Sequence, residues 1–98
     1  MNLLINNAIF KPVNKIVSSK EYIFYKHKHF YFNLLKNVDV LLIDDKNSIV
    51  FKYRNMPILK SINCNIINKK TSVIVLPVNT SLNLKIGDVL VFESEHII

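Results

Sequence analysis

Between Tyr22 and Phe32 six aromatic side chains interleave with Lys26, His27, Lys28 and His29. Single-strand binders pair a basic groove with aromatic faces on which bases stack, so this stretch is a candidate RNA or DNA platform. Lys52, Arg54, Lys69 and Lys70 are the further basic positions that could meet nucleic acid or an acidic partner surface. The competing reading puts the aromatics in the core of a small barrel and leaves the Lys-His-Lys-His bend merely solvated. A stretch this apolar favours the core.

Other chemistry finds less to work with. His27 and His29 are two apart and would share one side of a strand, as metal ligands sometimes do, but no third ligand is near in sequence. Nucleophilic catalysis needs a base within reach of a hydroxyl or thiol, and nothing places His27, His29 or His96 beside a serine or Cys64. Cys64, set among Ile62, Ile66 and Ile67, reads as a small buried hydrophobe. Asp44 and Asp45 occupy a turn, where aspartates bond the local backbone. Glu93, Glu95 and His96 read as a solvated tail. Phosphate-cradling loops need several glycines, and Gly87 is the only one in the chain. The sequence therefore assigns no catalytic, cofactor-binding or metal residue, and the expectation is a protein that is not an enzyme.

Composition narrows the class. A chain of 98 residues, half hydrophobic and one-fifth charged, has room for one domain, 1–98, and is apolar enough to fold. No apolar run approaches the roughly 18 residues of a membrane helix, and the run Val40 to Ile43 is bounded by Asp39 and Asp44. The first residues lack a basic segment and a small-residue cleavage pattern, so no signal peptide is expected. A lone cysteine gives no internal disulfide and suits a reducing compartment. The net charge of +6 rests almost wholly on lysine, Arg54 being the single arginine. Abundant Asn, Lys and Ile with one glycine look like the output of an AT-rich genome, which accounts for part of that charge.

The elements that would position these residues are strands. Short β-branched and aromatic runs recur along the chain, bounded by Asn, Asp, Ser or Pro. Leu3 to Phe10 is apolar apart from Asn6 and Asn7, and Pro12 ends it. Val13 to Ser19 fits no element clearly. Glu21 to Leu35 suits a bent strand or hairpin, with a helix over Tyr31 to Asn37 as the competitor. Val38 to Ile43 and Ser48 to Arg54 form a hairpin across residues 44–47, and Ile62 to Ile67 and Thr71 to Leu76 form another across 68–70. Pro57 and Pro77 mark chain exits. Gly87-Asp88 is a turn, with Gly87 the natural place for a positive φ, leading into a strand expected to bury Val89, Val91 and Phe92. The sum is an all-β domain, a small barrel or sandwich of about seven short, mainly antiparallel strands.

The final third, Ser72 to Pro77 followed by Leu84-Lys85-Ile86-Gly87-Asp88-Val89-Leu90-Val91, resembles the end of small β-barrel head-completion or stopper-type proteins of tailed phages. That resemblance implies a non-catalytic structural subunit in a phage neck, tail or capsid connector, located in the virion or the host cytoplasm. Its partners would be protein subunits of the same assembly, including copies of itself. The apolar ends Leu3-Leu4-Ile5 and Ile97-Ile98 are expected to dock there. The alternative is a nucleic-acid-binding barrel of organellar ribosomal type, using the lysines named above.

Overall fold

The computed structural model describes residues 1–25, 37–56 and 71–94. The features expected at Lys26 to Leu35, Pro57, Ile62 to Lys70 and Glu95 to Ile98 lie outside them, and with them Lys26, His27, Lys28, Lys69, Lys70 and Cys64. Among the described residues there is no helix, and the chain forms seven strands. They are β1 (Asn2–Ile5), β2 (Ala8–Pro12), β3 (Glu21–Tyr25), β4 (Val38–Ile43), β5 (Ile49–Met56), β6 (Ser72–Pro77) and β7 (Val91–Glu93). One strongly curled sheet contains them all in the order β5-β4-β6-β3-β2-β1-β7. All neighbours are antiparallel except β2 and β3, which run parallel.

Local chemistry explains the short connections. Asn6 and Asn7 both have positive φ, 49° and 67°, and link β1 to β2 as a two-residue hairpin with Ile5 opposite Ala8. Two consecutive left-handed residues match the right-handed twist of the flanking strands, and asparagine is the side chain that best tolerates them after glycine. Between β4 and β5, Asp44 Oδ1 accepts the backbone N–H of Lys46 and of Ser48, both at 2.9 Å, which is the turn chemistry its position implied. Before β3, Glu21 Oε1 accepts the N–H groups of Val17 and Ser18 at 2.8 Å.

The sheet buries both of its faces around β4 and β6. Leu3, Ile5, Phe10, Tyr22, Leu41, Ile43, Ile49, Ile74, Leu76 and Leu90 fill the concave side. On the convex side, Ile23, Val38, Val40, Leu42, Val73 and Val75 form a second cluster, with Val13, Ile16, Tyr25, Phe51 and Tyr53 packed against it. A strand covered on both faces reads as a continuous apolar run, which is why Val38 to Ile43 shows no alternation beyond Asp39.

The chain then stitches its own sheet. Ile49 N–H donates to the Asp88 carbonyl, Leu90 N–H to the Asn47 carbonyl and Gly87 N–H to the Ile49 carbonyl, each at 2.8 Å. Residues 87–90 thus lie along the start of β5, while 91–93 pair with β1. The two outermost strands are joined at that corner. Two expectations are corrected here. Leu3 and Ile5 are buried in the concave core and do not form a docking end, because the Asn6-Asn7 turn folds β1 into the sheet. Val89 and Val91 are exposed, and Leu90 and Phe92 face inward, because the pairing with β1 sets Phe92 opposite the core residue Leu3.

Candidate functional site

Two features of the described residues stand apart from ordinary packing: a buried carboxylate and an uncovered apolar face. Asp39 sits in β4 with no solvent-accessible surface. Its Oδ1 accepts the Asn55 N–H at 2.9 Å, and its Oδ2 accepts the Ser81 hydroxyl at 2.6 Å and the Ser81 N–H at 3.1 Å. Burial alone would raise this carboxyl, but those bonds together with the Asn79 N–H outweigh it and hold the group below its ordinary range. Among the described residues no cation pairs with it, so neutral donors carry the charge. Asn55 and Asn79 have positive φ, 54° and 70°, so Asp39 fixes a bend in β5 and the loop after β6 at once. The arrangement is a structural latch. Its aspartate offers no free lone pair to a substrate, and the sequence marks it only as an acid inside a continuous apolar run.

The uncovered face is built by pairing register. Leu4 of β1 stands opposite Ile9 of β2 and opposite Val91 of β7. All three point away from the concave core, and Ile9 and Val91 are each 52% exposed. Val89, two residues before Val91 on the same side, is 63% exposed. Val50 and Ile86 add exposed aliphatic surface at the nearby seam. A second row follows the first: Asn2 lies opposite Glu93, and one register step beyond the Leu3–Phe10 pair it lies beside Lys11. Met1, Asn2, Lys11, Pro12 and Ser94 line a cavity of about 420 Å³ there, and Asn2 Oδ1 is buried without a hydrogen-bond partner. Monomeric surfaces scatter single hydrophobics, whereas contiguous ones mark contact sites.

The residues singled out from the sequence are distributed as follows. Gly87 has φ 98° and Asp88 Oδ2 accepts the Lys85 N–H at 2.9 Å, so both act in the turn that feeds the seam. Lys52 is half-buried, opposite the core residue Leu41, with its ammonium donating to the Leu84 carbonyl at 2.7 Å. Arg54 is exposed. Tyr22 is buried, its hydroxyl donating to the Met1 carbonyl, and burial raises its pKa. Tyr22 and Phe24 each meet the ring of Phe92, with centroids 6.2 and 6.3 Å away, so this part of the aromatic stretch packs against the closing strand. Among the described residues no group of three His, Cys, Asp or Glu side chains converges on a metal position. No family model matches the chain, and neither a curated protein nor a solved structure matches it.

Proposed function

We propose that this protein is a non-catalytic structural subunit that works through its surfaces in a larger assembly, with a virion component at a phage neck, tail or capsid connector as the setting that suits it best. The observation that carries the first part is the contrast between the two regions of convex sheet. The cluster over β3, β4 and β6 is buried, while Ile9 on β2, Val91 on β7 and Val89 just before β7 are exposed, with the half-buried Leu4 of β1 between Ile9 and Val91. Apolar area of this kind contributes about 25 cal/mol per Å² when it leaves water, so a partner that covers it gains directly. The virion setting rests on the C-terminal resemblance alone.

The nucleic-acid alternative draws less support from the described residues. Of its basic set, Lys52 is committed to a loop carbonyl, and Arg54 is the free cation that lies within them. The test is made in the cells that produce the protein. The chain should co-sediment with particles at fixed stoichiometry in quantitative mass spectrometry of gradient fractions. Recovery solely as a free species of 11.4 kDa would overturn the reading.

A further inference from the structure

The outer face of β2, β1 and β7 carries a pattern that selects its own partner. Its aliphatic row runs Ile9–Leu4–Val91, and the row beside it runs Lys11–Asn2–Glu93. Lys11 and Glu93 are both exposed. They flank β1 on opposite sides, two strand spacings or about 10 Å apart, too far to pair with each other. Among the described residues no ion pair engages either side chain.

We propose that this face binds a second copy of the same chain across a two-fold axis running along β1. Such a rotation exchanges the β2 side with the β7 side while keeping each row in place. Leu4 then meets Leu4 of the second copy, Ile9 meets Val91, and Lys11 meets Glu93 twice, once in each direction. A surface with one charge sign on both flanks would repel itself in this geometry. Opposite signs placed symmetrically about an aliphatic centre make it self-complementary. The sheets pack face to face at the usual spacing of about 10 Å, their strands within about 30° of each other.

Size sets the strength. Three strands by four residues span roughly 15 Å each way, well under the ~800 Å² per partner of a stable interface. The pair is accordingly weak and concentration-dependent, and becomes persistent where a larger assembly holds the copies together. The inference rests on the reading of the chain as a subunit that works by contact, and it names that contact.

Sedimentation velocity over a concentration series tests it with the full chain. The wild type should pass from monomer to dimer as concentration rises. Lys11→Glu and Glu93→Lys should each remain monomeric at concentrations at least tenfold higher, because each places like charges opposite one another at both contacts. An equimolar mixture of the two variants should dimerise again, since every contact in the mixed pair is complementary. Ile9→Glu should abolish association, and circular dichroism of all variants should match the wild type. A wild type that stays monomeric, single variants that dimerise normally, or a mixture that fails to recover would each overturn the proposal. Purified monomers that still co-sediment with particles in cells would sink this contact and leave the subunit reading standing. A purified dimer never found on particles would do the reverse.

Discussion

Asparagine does in this chain the work glycine does elsewhere. Asn6, Asn7, Asn47, Asn55 and Asn79 all have positive φ, alongside Gly87 at 98°. Left-handed backbone strains most side chains by about 1 to 3 kcal/mol, and asparagine offsets part of that by bonding its own backbone. Asn7→Gly should therefore leave the melting midpoint unchanged or slightly raised, while Asn7→Val lowers it. Gly87→Val should cost about 1 to 3 kcal/mol in denaturant titrations, from backbone strain alone, because a Cβ there meets open space. Asp39 adds a pH dependence. Its folded pKa lies below the unfolded value of about 3.9, so its stabilisation is complete above that value and is lost as pH falls through the folded pKa. Asp39→Asn leaves Ser81 donors facing an amide, and should cost about 2 to 3 kcal/mol at neutral pH. The variant's midpoint should also flatten between pH 5 and the acid limit, where the wild type's declines. Gly87 was legible in the sequence because it is the single glycine. The asparagines were not, since thirteen are scattered through strands, turns and surface alike.

At the scale of elements, what could be read was whatever local chemistry decides. The β4–β5 hairpin was visible in two β-rich runs around an aspartate turn, and β6 was visible as a run stopped by Pro77. Which side a strand buries is decided by its neighbours, and there the sequence misled. Val89 and Val91 look like core residues, yet the pairing of Leu3 with Phe92 turns them outward. Leu3-Leu4-Ile5 looks like a free apolar end, yet the turn at Asn6-Asn7 makes it a strand with two buried residues. A pair of truncations separates the sides. Leu3→Ala should cost about 2 to 5 kcal/mol in chemical denaturation, as a buried leucine does, and Val91→Ala within about 0.5 kcal/mol in dilute solution. Equal losses would mean that β1 and β7 are assigned to the wrong faces.

For the molecule as described, the all-β class followed from composition and punctuation, and the order of the strands did not. A β5-β4-β6-β3-β2-β1-β7 sheet puts the first strand beside the last and joins β2 to β3 in parallel, and such distant pairings leave no local mark in a sequence. The seam at residues 87–93 has a further meaning in time. A ribosome releases β1 and β2 well before residues 91–93, the backbone that closes over β1. Until then the nascent chain carries an open hairpin whose inner residues Leu3, Ile5 and Phe10 await Leu90 and Phe92. Nascent chains arrested with Leu84 at the tunnel exit should be cleaved by a dilute protease as readily as unfolded protein, and chains extended beyond Glu93 should resist. The curled sheet is thus completed only when residues 87–93 emerge, and the speed at which the codons between β6 and β7 are read sets how long an unfinished copy lies exposed to other unfinished copies.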